Sequence, residues 1–149
     1  MRFHKETLSK IAERIAASLK IRKILYTALI LDNASHTTVQ EWFKQVSGES
    51  LLNNILAHHI TIQFKPTEDQ VSAVGIGTEA SVNVVGWVSD EKAQVVVVSG
   101  LTVSSGTPHI TVATASGVLP EYSKQLLQGK INMVEGPELT GKIEAVRML

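Results

Sequence analysis

Two four-residue strings fifty positions apart, His59-Ile60-Thr61-Ile62 and His109-Ile110-Thr111-Val112, share one pattern of histidine, apolar, threonine, apolar. Strict alternation of this kind belongs to an extended strand, in which successive side chains point to opposite faces. Each string is therefore read as a strand that turns an imidazole and a hydroxyl to one side and two branched aliphatic chains to the other. A fold that accepts both must bury two aliphatic faces while keeping two polar faces open.

The rest of the chain supplies material for such a fold. Apolar spacing over Glu6–Lys20 is helical, with Ile11, Ala12, Ile15, Ala16 and Leu19 on one stripe. Ile24 to Leu31 is nearly continuous and apolar, as in a buried strand, and ends at Asp32-Asn33. Helical spacing returns from about Ser35 to Val46, with Ser35 placed to cap the start and Gly48 just past the end. Trp42 and Phe43 of this helix are expected on the sheet. Residues 49–57 fit either a helical turn or a loop. His58 to Phe64 is the first motif strand, closed by Lys65-Pro66-Thr67, and Gly75 and Gly77 mark an irregular connection. Val82–Val88 and Ala93–Val98 form a hairpin about Ser89-Asp90-Glu91-Lys92. The second motif strand runs from His109 to Thr114, a short helix opens at Pro120 and stops at Gly129, and Lys142 to Met148 is a terminal strand. Hairpins outnumber helical crossovers in this order, which predicts an α+β fold with largely antiparallel sheet.

Composition bounds the chemistry. At 149 residues and 44% hydrophobic, residues 1–149 are the size of a single domain with one core. With no cysteine there is no disulfide framework, thiolate metal site or sulfur nucleophile. No apolar run approaches the roughly 18 residues of a membrane span, and a secretory signal is not evident, so a cytoplasmic protein without membrane contact is expected. Formal charge is zero overall, yet residues 1–23 hold seven basic side chains against Glu6 and Glu13. That basic helix is read first as a solvated face of a packed helix, and second as an element that steers phosphates.

Two imidazoles facing one another can divide general acid and general base work, since an unperturbed histidine titrates near pH 6.5. Two threonine hydroxyls beside them can stabilise charge developing on an oxyanion. A lone histidine on a strand is an ordinary packed side chain; two copies of the same four-residue pattern make the paired site the stronger reading. Of the two adjacent imidazoles His58 and His59, only His59 has threonine two places on, matching His109. In a regular strand His58 would point away from His59, and no carboxylate stands at the spacing of a metal site, so no metal is expected. Gly75-Ile76-Gly77 lacks the later glycine and lysine of a phosphate loop and is read as a turn. His4 and His36 are read as surface residues.

The paired His-x-Thr-apolar strings, within this order of strands and helices, resemble the 2H phosphoesterase superfamily. The resemblance implies a bilobed α+β fold with helices packed outside a central cleft, each half contributing one motif strand. It also implies His59 and His109 as the catalytic histidines, Thr61 and Thr111 as the hydroxyl residues, and no cofactor. The implied activity is metal-independent hydrolysis of a cyclic phosphate or 2′-5′ type phosphodiester. The substrate would be a nucleotide, a cyclic oligonucleotide or an RNA terminus. The spacing between motifs is short for that superfamily, so the loops that contact substrate are expected to differ. For a base, the candidate stacking rings are Tyr26, Trp87 and Tyr122. A different class of protein, a module that binds a nucleotide or RNA end in the same cleft without turnover, fits the same residues; an interaction protein that uses neither histidine is the third possibility.

Overall fold

The computed structural model describes residues 23–147. The helix expected over Glu6–Lys20, His4 and the last residue of the terminal strand, Met148, lie outside the described residues. Twelve elements follow in chain order. They are β1 (Ile24–Leu31), α1 (Asn33–Ser47), β2 (Asn54–Ile55), β3 (His59–Phe64), α2 (Glu68–Val74), β4 (Glu79–Ser89), β5 (Ala93–Ser99), β6 (His109–Thr114), a 3-10 turn (Pro120–Tyr122), α3 (Ser123–Leu126), β7 (Asn132–Met133) and β8 (Glu138–Arg147). The fold is α+β, and every strand pairing is antiparallel. No helix among the described residues is long and apolar enough to cross a membrane.

One sheet runs in the order β2-β6-β5-β4-β8-β1-β3, with β7 on β4. The order is nearly symmetric about the central β4–β8 pair. Outward from β8 lie β1 and then motif strand β3; outward from β4 lie β5 and then motif strand β6. The symmetry extends to an irregularity. In β3, Thr61 faces Ala28 and Gln63 faces Thr27, leaving Ile62 as an extra residue. In β6, Thr111 faces Val95 and Ala113 faces Gln94, leaving Val112 as the extra residue. Both motif strands therefore bulge at the fourth motif position, where a bulge bends the strand and re-aims the side chains beyond it.

The bends bring the two ends of the sheet together. Leu56 and Ala57, leading into β3, donate backbone hydrogen bonds to Val112 and Thr111 of β6 at 2.8 and 3.0 Å. Reciprocally, Ser104, leading towards β6, donates to the Ile62 carbonyl of β3 at 2.8 Å. Each motif strand is thus braced by the segment that introduces the other. Ile60, Ile62, Ile110 and Val112 are buried in the main core with Leu29, Val84, Val96 and Leu139. The polar positions His59, Thr61, His109 and Thr111 remain half-buried on the other face.

Helix α1 covers this core with Val39 and Phe43 fully buried and Trp42 partly so. Its start differs from expectation: Asp32 is the cap and accepts from Ser35 N at 2.8 Å, while Ser35 lies inside the first turn. The Ser35 hydroxyl instead accepts from Thr140 N at 2.8 Å, tying the helix to β8. Gly48 closes the helix in the left-handed region at φ 72°, as expected. Between α1 and β2 the chain is a loop, held by the buried Gln94 side chain, which accepts from Leu52 N (2.9 Å) and donates to Ser50 O (2.8 Å). The connection before Gly75 contains the short helix α2, started by a capping box between Thr67 and Gln70.

Candidate active site

Beyond the core the two motif strands share one pocket of about 330 Å³. Its walls include all four motif side chains, His59, Thr61, His109 and Thr111, together with Tyr26. Alternation on each strand produces this arrangement, since the aliphatic positions are claimed by the core. His58, Phe64, Ser104, Glu121 and Lys124 are among the other polar and aromatic residues of the lining.

Strict alternation would put His58 and Phe64 on the other face, and each owes its place here to a backbone cause. Ala57 is buried with φ 49°, a left-handed conformation that an L residue adopts only under constraint. Its carbonyl is held by His36 Nδ1 at 2.8 Å, so His36 is a half-buried clamp from α1 rather than a surface residue. Its N–H is held by Thr111, as described above. The kink precedes β3 and swings His58 back to the pocket, where its Nδ1 lies 3.1 Å from His59 Nδ1. The two adjacent imidazoles therefore touch instead of pointing apart. Phe64 owes its place to the bulge at Ile62, which reverses the alternation and puts Phe64 opposite Tyr26.

The rings line up along this wall. Tyr26 stacks on His59 with centroids 5.1 Å apart and on Phe64 at 6.4 Å. Tyr26 thus braces the His59 ring, and the open aromatic surface belongs to Phe64, which is 55% exposed. Lys124 Nζ lies 6.0 Å from the Phe64 ring centre. The other two aromatic candidates lie outside the pocket. Trp87 meets Phe43 edge-on at 5.8 Å and packs against the main core. Tyr122 donates to Asp90 Oδ2 at 2.5 Å, sits under Lys92 and packs on Val88, Ala93 and Val95. These contacts fasten the 3-10 turn to the β4–β5 hairpin and so present Glu121 and Lys124 to the pocket.

Hydrogen bonding distinguishes the two motif histidines. His109 donates from Nδ1 to the Thr107 carbonyl at 2.8 Å, an arrangement that leaves its Nε2 with a lone pair when the ring is neutral. His59 Nδ1 is engaged by another imidazole. The threonines differ too: Thr111 Oγ1 lies 2.8 Å from the fully buried Ser123 Oγ, whereas the Thr61 hydroxyl has no hydrogen-bond partner among the described residues. With Ser123 donating, the Thr111 proton is free to point at a ligand.

Both imidazoles are poised to be neutral. Burial, reinforced by the charges that His58 and His109 would carry, pushes His59 down to about 4. His109 is also lowered, by burial first, with the Thr107 hydrogen bond opposing and the Lys124 charge adding. The linkage to stability has a definite sign. In the unfolded chain these imidazoles take up protons below about pH 6.5, whereas the folded chain resists protonation of His59 until about pH 4. Stability contributed by His59 is therefore present above about pH 6.5 and lost as pH falls toward 4. Denaturant melts taken across that window should show a shallower acid loss in His59→Gln than in the parent; identical slopes would contradict the burial of His59.

No family model matches the chain, and a search among curated proteins finds no match.

Proposed function

We propose that this pocket is the active site of a phosphodiesterase of the 2H phosphoesterase type. It would act on a cyclic phosphate or 2′-5′ linkage in a small nucleotide, a cyclic oligonucleotide or an RNA end. The observation that carries this reading is the convergence of His59, Thr61, His109 and Thr111 on one pocket from two strands that bulge at the same motif position. The near-symmetric strand order supports a bilobed plan, with one motif strand from each lobe and the pocket as the central cleft.

The chemistry follows from the hydrogen bonds. His109, its Nδ1–H held by Thr107, offers Nε2 as the base that takes a proton from the attacking water. His59, on the opposite strand, is left to protonate the departing ribose oxygen. As the phosphorus–oxygen bond breaks and the new one forms, Thr61 and Thr111 donate to the non-bridging oxygens. Hydrolysis of a 2′,3′-cyclic phosphate in this way yields one phosphomonoester and one free hydroxyl. The exposed face of Phe64 is the surface on which a base can stack, and Lys124 places a cation beside the phosphate.

The test is incubation, with chelator present, against 2′,3′-cyclic nucleotides, 2′-5′ oligoadenylates and cyclic dinucleotides and trinucleotides. A phosphomonoester product from at least one of these is expected. Salt-dependent binding across the panel with no product formed would favour the binding module instead.

A further inference from the structure

The contact between His58 and His59 has no part in the two-histidine scheme and asks for a role. Two Nδ1 atoms 3.1 Å apart make a hydrogen bond only if one carries a proton and the other does not. His58 is exposed and His59 is half-buried, its ring stacked on Tyr26. Only one of the two placements leaves a proton on His59 Nε2, where the proposed acid must carry it. His58 is therefore the donor and His59 Nδ1 the acceptor, which fixes the His59 proton on Nε2, toward the pocket. We infer that His58 is a positioning residue that sets His59 as the Nε2–H tautomer and hands it a proton at Nδ1 as the Nε2 proton leaves during phosphodiester cleavage, so that the ring stays neutral.

The inference rests on the proposed function, which asks for the acid's proton on Nε2. The proton count closes. As His59 Nε2–H passes to the departing oxygen, the His58 Nδ1 proton crosses to His59 Nδ1, and His58 takes one from water at Nε2. Both rings end neutral. One proton has entered through His58, and His109 returns to water the proton it took from the attacking water. The starting tautomers are restored when the relay runs back, with His59 Nε2 reprotonated from pocket water. The device frees the donor from having to be charged in a site where burial disfavours an imidazolium. It also makes the two motif histidines opposite tautomers, since His109 keeps its proton on Nδ1 through the Thr107 carbonyl. The titratable groups around this relay are Tyr26, His58, His59, His109, Glu121 and Lys124, all on the walls of the one pocket.

Long-range proton–nitrogen NMR of the imidazole rings reads this without any substrate. In the ligand-free protein near pH 7.5, His59 should appear as Nε2–H and His109 as Nδ1–H, and His58→Ala should abolish the His59 preference while leaving that of His109. The same tautomer on both rings, or a His59 signal indifferent to His58→Ala, would overturn the inference even if the enzyme proved active. The kinetic arm uses whichever substrate the panel identifies. His58→Ala should lower kcat roughly 10-fold or more with little change in KM, and added imidazole should restore a good part of it. Full activity in His58→Ala would overturn the relay, as would full rescue by His58→Asn, whose amide can donate in place of Nδ1 but cannot pass a proton on. Should the panel yield no product with the parent protein, the proposed function fails while the tautomer assignment still stands or falls on the NMR result.

Discussion

Replacing His109 with alanine should lower the rate of phosphodiester cleavage by roughly 10²–10⁴-fold, and replacing His59 should lower it as far. The size follows from what each ring does. A positioned acid or base lowers the barrier by about 1.4 kcal/mol for every factor of ten in rate, so either loss removes roughly 3–5 kcal/mol of transition-state stabilisation. Neither ring belongs to the main core, so the variants should fold as the parent does. Because the rings act as a pair on one proton-transfer sequence, the double variant should lose little more than the worse single one. Steady-state kcat and KM, with circular dichroism melts alongside, check this. A rate within a factor of three of the parent for either single variant would remove that histidine from the mechanism.

The second large effect is on stability and starts on the far side of the sheet. Phe43 is fully buried, touches Trp87 edge-on and anchors α1 to the core. Truncation to alanine removes that ring from a packed interior and leaves a cavity, at a cost of about 3–5 kcal/mol. At roughly 2–4 °C per kcal/mol for a chain of this size, the melting temperature should fall on the order of 10 °C. The helix also supplies His36, whose ring holds the Ala57 carbonyl immediately before His58 and His59. Loss of Phe43 should accordingly loosen the pocket as well as the core, and Phe43→Leu should recover most of both. A melting shift under 2 °C for Phe43→Ala would mean that α1 does not depend on this contact.

The sequence carries the parts of this architecture that period and chemistry alone decide. The two motif strands, the β4–β5 hairpin and α1 come directly from alternation, turn residues and helical spacing, and the pocket gathers the four motif side chains because the aliphatic ones are buried opposite them. What escaped are departures from regularity. A bulge of one residue at Ile62 has no signature in the string His59-Ile60-Thr61-Ile62, yet it decides that Phe64 rather than Gln63 faces the pocket. The left-handed backbone at Ala57 is unexpected for a non-glycine residue, and only the tertiary contacts from His36 and Thr111 impose it. That one residue turns His58 from a neighbour facing away into a partner of His59. Trp87 and Tyr122 lie outside the pocket for a different reason: both are aromatic residues whose packing partners, Phe43 and the β4–β5 hairpin, lie far away in sequence. Thr67 and Gln70 spell a capping box for helix α2, a signal masked in the sequence by the turn-forming glycines that follow it. Ser123, buried against Thr111, carries no sequence mark at all.

The central claim is that a phosphate sits between two imidazoles delivered by twin bulged strands. A crystal structure with a slowly cleaved thiophosphate analogue of a 2′,3′-cyclic nucleotide tests it most directly. The phosphorus should lie in the pocket with ligand oxygens within about 2.6–3.2 Å of both Nε2 atoms, His59 and His109, and the Thr61 hydroxyl donating to a non-bridging oxygen. An analogue bound elsewhere on the sheet, or bound here with either Nε2 turned away from it, would contradict the account.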